Sequence, residues 1–194
     1  MVKMSQLVQK KSRPHVTAFV LRKTARTMLP FYTKIAKDDK FAREWSKAVV
    51  TANLNLMGEL LARIPSLAGN QNYGTNAIGY FISFPFTPPV GYYTNGTTIP
   101  PGLVQFTFNT KAHRYIARAL LPFYRKLTTS CRYAKALAYA IRRKDQRTVN
   151  CMVRRLVKSS ALRSVIIEDS GIALLFRTPF SKYPYRNLLF RETY

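Results

Sequence analysis

At 194 residues and 47% apolar composition the chain is long enough to bury one substantial core, and its 32 Lys and Arg against 8 Asp and Glu give a formal charge of +24. Such an imbalance repels a compact isolated monomer and is relieved by a polyanion, with nucleic acid the first candidate and an anionic membrane surface the second. Two cysteines, Cys131 and Cys151, are too few for a disulfide framework and are expected as small buried apolar groups, and no apolar run approaches the length of a membrane-spanning helix.

Residues 1–14 read as a flexible basic arm without the apolar stretch of a secretory leader. Apolar spacing then predicts a helix from about 15 to 29, broken or kinked at Pro30, whose ring removes an amide donor and clashes with the preceding turn. A second helix follows, capped by Asp38 or Asp39. Its stripe of Phe41, Trp45, Ala48, Val49, Ala52, Leu56, Leu60 and Ile64 runs to Pro65.

Between Ile64 and Thr110 there is not one Asp, Glu, Lys, Arg or His. Two alternating runs in this stretch predict half-buried strands: Tyr80, Ile82, Phe84 and Phe86, then Val104, Phe106 and Phe108. A turn-rich loop over 87–102 is expected to join them. An uncharged, aromatic segment suits contact between copies of a protein. Tyr80, Phe84, Tyr92, Tyr93, Phe106 and Phe108 are the residues expected to make that contact.

Asn109 or Thr110 is placed to cap a helix from 111 to 121, which meets Pro122. Ser130 is placed to open the next helix and Asp145 a third. Apolar runs on either side of Glu168-Asp169-Ser170-Gly171 predict a hairpin at about 163–177. The aromatic, basic tail beyond it reads as a strap onto a neighbouring subunit.

"ARTMLPFYTKI" at 25–35 and "ARALLPFYRKL" at 117–127 are nearly the same sequence, 92 residues apart. At that spacing nine of the 21 positions from 22 to 42 are identical, including all of Leu29–Tyr32 against Leu121–Tyr124. An internal duplication of roughly 40 residues follows, fading toward its C-terminal end. The fold expected is therefore mainly α: a helical bundle with two proline-kinked, duplicated helix–bend–helix arms, a β-hairpin-like or irregular neutral insert, and a small C-terminal hairpin. Its segments are 1–14, 15–64, 65–110, 111–160 and 161–194.

Each repeat carries cations with few acids beside them, a pattern that favours phosphate contact over base reading. In the first repeat the residues expected at a nucleic-acid surface are Arg22, Lys23, Arg26, Lys34, Lys37 and Lys40. In the second they are Arg114, Arg118, Arg125, Lys126, Arg132, Lys135, Arg142, Arg143, Lys144, Arg147, Arg154 and Arg155. No catalytic constellation, phosphate-cradling glycine loop or metal-ligand spacing is present; His15 and His113 are far apart and have no partnering pattern. The chain is expected to be no enzyme and to need no cofactor or metal.

With "RKTARTMLPFYTK" and "HRYIARALLPFYRK" as basic helical elements around a neutral middle, the chain resembles the α-helical major capsid proteins of filamentous and rod-shaped DNA viruses of hyperthermophilic archaea, the lipothrixvirus-like kind. That resemblance implies a structural virion protein that wraps linear double-stranded DNA, held in A form, without sequence specificity. It implies a homodimer or a heterodimer with a paralogous capsid chain, many copies in a helical nucleocapsid filament and, in some members, a lipid envelope. The virion, and the host cytoplasm during assembly, would be its location. The rival reading is a cellular nucleic-acid packaging or ribosome-associated basic protein. A basic membrane-surface protein is a third class.

Overall fold

The computed structural model describes residues 16–168 and 170–192, so the expected N-terminal arm, Asp169 and the last two residues lie outside it. The described residues form six helices and six strands in two identical series of three helices then three strands. The first series is α1 (Ala18–Lys37), α2 (Asp39–Val50), α3 (Leu54–Ala62), β1 (Tyr73–Thr75), β2 (Gly79–Pro85) and β3 (Tyr92–Thr98). The second is α4 (Thr110–Thr129), α5 (Cys131–Arg142), α6 (Gln146–Arg154), β4 (Leu162–Glu168), β5 (Gly171–Phe176) and β6 (Tyr185–Arg191).

Every helix in the second series begins and ends 92 residues after its counterpart in the first. The N-caps keep the same step. Thr17 accepts from the Val20 amide and Asn109 from Ala112; Asp38 accepts from Phe41 and Ser130 from Tyr133; Asn53 accepts from Leu56 and Asp145 from Thr148. Such caps satisfy amides that have no partner in the first turn of a helix. The turns repeat as well, with Ala52 (φ 50°) and Lys144 (φ 55°) both in the left-handed region.

The strands form one antiparallel sheet in the order β1-β2-β3-β6-β5-β4. That order reads the same from either edge when one series is exchanged for the other. The exchange axis passes between β3 and β6, which pair antiparallel from Tyr93 with Arg191 to Thr98 with Arg186. The helices cover one face of the sheet, with α1 and α4 side by side over its centre. Arg22, early in α1, donates to the Thr128 carbonyl late in α4 (3.3 Å), and Arg114, early in α4, donates to Ala36 late in α1 (3.3 Å). The two central helices therefore run antiparallel, each capping the other's C-terminal carbonyls with an arginine.

On the axis lies a ring of four buried polar side chains. The Tyr32 hydroxyl donates to Asn95 Oδ1 (2.8 Å), Asn95 Nδ2 to the Tyr124 hydroxyl (2.7 Å), Tyr124 to Asn187 Oδ1 (3.2 Å), and Asn187 Nδ2 back to Tyr32 (2.7 Å). All four are fully buried. Around the ring, apolar side chains from both layers close one continuous core that includes Trp45, Tyr80, Phe31, Phe123 and Phe176.

The architecture corrects the mainly α expectation: this is a mixed fold in which three of the six elements of each repeat are strands of one sheet. The duplication covers the whole described chain and not about 40 residues. The "insert" is the first half of the sheet and the expected C-terminal strap is the central strand β6, paired to this chain's own β3 and β5. Pro30 and Pro122 do not end their helices, since α1 and α4 run through them. Both prolines are exposed, so the carbonyl each leaves unbonded is open to water. The stripe from Phe41 to Ile64 is two helices, because left-handed Ala52 stops α2.

One predicted strand is also displaced. β2 stands where it was expected, but its partner is Tyr92–Thr98, inside the expected loop, while the 103–109 stretch is irregular with Phe106 at φ 49°. Asn95-Gly96 reads as a turn in sequence. In the sheet, Gly96 is demanded by closeness: a Cβ there would lie 2.3 Å from the Tyr80 carbonyl oxygen and 2.9 Å from the Phe81 ring.

Candidate nucleic-acid interface

The helix layer places the cations. Among the described residues the strands hold only Arg163, Arg186 and Arg191. Two of these three are engaged, Arg186 with Glu168 and Arg191 with the Val90 carbonyl (2.7 Å). On the sheet face away from the helices, Phe81, Leu175, Leu188 and Phe190 are half-buried and Ile166 is exposed. The molecule is thus electrically two-sided, with a basic helix face and a nearly neutral sheet face.

Most of the expected contact residues stand exposed on or beside the helices. These are Lys23, Arg26, Lys37, Lys40, Arg118, Arg125, Lys126, Arg132, Lys135, Arg143, Lys144, Arg147 and Arg155. Lys23 lies over the rings of Phe19 and Phe86 (6.0 and 5.0 Å), and Arg143 over that of Tyr139 (5.6 Å). Such stacking holds a cation outward without neutralising it.

Five of the expected residues have work inside the fold. Arg22 and Arg114 tie α1 to α4, and Arg114 also pairs with Asp39. Lys34 pairs with Asp38 at 2.8 Å; that ion pair and the Phe41 amide hold the Asp38 carboxyl below its usual range. Arg142 donates to the Val16 carbonyl (3.2 Å). Arg154 donates to Asn150 and to the Leu162 and Arg163 carbonyls. With Gln146, which bonds the Val165 carbonyl and the Ile167 amide, it covers the open edge of β4. Exposed Lys47, Lys111, Lys158 and Arg177 join the basic surface, and sequence reasoning passed over them. Their signal was only their charge, outside the recognised repeat pairs.

The expected intersubunit residues are corrected. Tyr80 and Tyr93 are fully buried, and Phe84 and Phe108 nearly so, all inside this chain's own core. The alternation that singled out Tyr80 and Phe84 marks the helix-facing side of a sheet. Only Tyr92 and Phe106 of that set stand exposed. Cys131 and Cys151 are free and exposed, not buried.

His113 is wholly enclosed, its Nε2 3.0 Å from the Tyr80 hydroxyl, and burial pushes its pKa down to about 3. Burial raises the pKa values of Tyr32 and Tyr124, keeping both phenols protonated as ring donors. Among the described residues no three His, Cys, Asp or Glu side chains converge as metal ligands.

Comparison with protein-family models, with curated proteins and with solved structures finds no match.

Proposed function

We propose that the protein is a structural nucleic-acid-binding protein that packs in many copies along linear double-stranded DNA, holding the phosphate backbone without reading base sequence. The observation that carries this reading is the two-sidedness of the charge: exposed cations crowd the helix layer while the sheet face is nearly neutral. Exposed lysines and arginines on regular helices suit phosphates, which repeat along any duplex. A role in a virion filament is the setting in which such packing is extensive. Wrapping by extended helical arms is not part of the proposal, because the helices are packed on the sheet.

The test is a binding titration against linear duplex DNA at several salt concentrations, with electron microscopy of the mixture. Contact with about six to ten phosphates gives a slope of roughly −5 to −9 in log affinity against log salt. A flat salt response, or strong preference for one sequence, overturns the proposal.

The compact two-layer shape favours a second reading, a cellular packaging or ribosome-associated protein, because a globular body needs no filament to be stable. Scattered complexes in place of regular filaments, with structured RNA outcompeting duplex DNA, would select it.

A further inference from the structure

Across the internal axis the two halves differ at one pair of corresponding grooves. Between α1 and α5 lies a groove of about 650 Å³ lined by Arg22, Lys23, Arg26 and Lys135, with Cys131 and Phe19 among its other walls. None of those four cations has an acid partner among the described residues, whereas Nε is buried without an acceptor in both Arg22 and its counterpart Arg114. At the corresponding position between α4 and α2, Arg114 pairs with Asp39, which stands where Cys131 stands in the first. Asp39 also binds Arg43, the counterpart of Lys135, and Asp38 stands where Ser130 does.

The same backbone thus carries unpaired cations in one place and acid-paired ones in the other. The first turn of α2 is opened by two carboxylates, while that of α5 has none, so the positive end of the α5 dipole is uncompensated. Arg22 Nη2 is held by the Thr128 carbonyl and Nε is buried, which leaves Nη1 for a ligand. Cations converging beside a helix start suit the oxygens of a phosphate group.

We infer that the α1–α5 groove is a phosphate site and that its α4–α2 counterpart is the same site closed by its own aspartates. The ligand is one phosphate group, from a nucleic-acid backbone or from a free phosphate. The backbone source rests on the proposed function; the anion site itself does not. Each molecule then has one such site and not two, and the paired arginines of the two halves contribute unequally to binding.

Full-length protein titrated calorimetrically with inorganic pyrophosphate near physiological salt is expected to show a single defined site. Cys131→Asp copies the sister groove and should weaken that site about tenfold or more, as expected when a charge-assisted contact is offset. Cys131→Ser should leave it unchanged, and Asp39→Cys should raise the stoichiometry toward two. If Cys131→Asp does not fold, Lys135→Glu on the exposed rim serves in its place. Equal pyrophosphate binding by wild type and the charge-reversed variant, or no defined site in the wild type, overturns the inference. The same variants titrated with labelled duplex DNA separate the two sources. Pyrophosphate binding at one site without DNA binding defeats the nucleic-acid reading and leaves the groove standing. DNA binding that ignores Cys131→Asp, with no pyrophosphate site, does the reverse.

Discussion

His113 occupies the position that Leu21 holds in the other half, and its partner Tyr80 the position of Ile172. A polar pair therefore sits where the sister core is aliphatic. Its cost is set by pH. Above about pH 6.5 the imidazole is neutral whether the chain is folded or not, and it contributes no pH dependence. Between 6.5 and the folded value of about 3, the unfolded chain binds a proton that the folded chain refuses, so stability falls as pH falls. The slope from this one group is at most about 1.4 kcal/mol per pH unit. His113→Leu should remove it while costing roughly 1–2 kcal/mol at neutral pH, because the Tyr80 hydroxyl then loses its imidazole partner. Thermal melts of both proteins between pH 7 and 4 check this: the gap between their melting temperatures should narrow or reverse toward the acid end. A constant gap would show that the ring is protonated without penalty.

At the scale of elements, Pro30 and Pro122 show how far local rules reach. Each lies within a twenty-residue helix, lacks the amide that would bond the carbonyl four residues earlier, and faces solvent. Since the helices continue past them, Pro30→Ala and Pro122→Ala should each restore a bond and stabilise the fold by about 1–3 kcal/mol. Calorimetry should show this as a melting temperature higher by several degrees per substitution. A fall would mean that the prolines set a bend on which the packing depends.

The same contrast explains what was legible beforehand. Caps such as Asp38, Ser130 and Asp145 act within three residues, so the sequence announces them. The 163–177 hairpin announces itself in the same way. β3 does not, because Thr94-Asn95-Gly96 takes its meaning from distant partners: Asn95 from Tyr32 and Tyr124, Gly96 from Phe81. The second half of the duplication was hidden for a related reason. Few identities survive beyond residue 134, apart from pairs such as Gly79 with Gly171, Tyr93 with Tyr185 and Asn95 with Asn187. The cations were visible as charges. Whether an arginine is free, like Arg26, or tied, like Arg114, is decided by a chain segment 75 or more residues away.

As a whole the molecule is a dimer written in one chain. Each half contributes one centre strand, one centre helix and two members of the buried ring, and none of these is complete alone. Fragments 1–108 and 109–194, expressed separately, should therefore aggregate or stay unfolded, and should recover a cooperative fold when refolded together. Size-exclusion chromatography with circular dichroism on the single and mixed fragments reads this directly. Stable monomers from either fragment would show that the interface across the axis is dispensable.

The Tyr32–Asn95–Tyr124–Asn187 ring has a consequence for how such a chain can change over generations. Each of its four side chains already gives one hydrogen bond and takes one inside the circuit. Altering one strands its two neighbours in a dry core, where an unpaired polar group is costly, and no alteration confined to one half can repair the loss. The surfaces of the halves are under no such bond: aspartate at 39 has its place taken by cysteine at 131, and lysine at 47 by tyrosine at 139. Drift is free at the rim and joint at the axis, so two copies that have parted almost everywhere else still have to inherit their centre together.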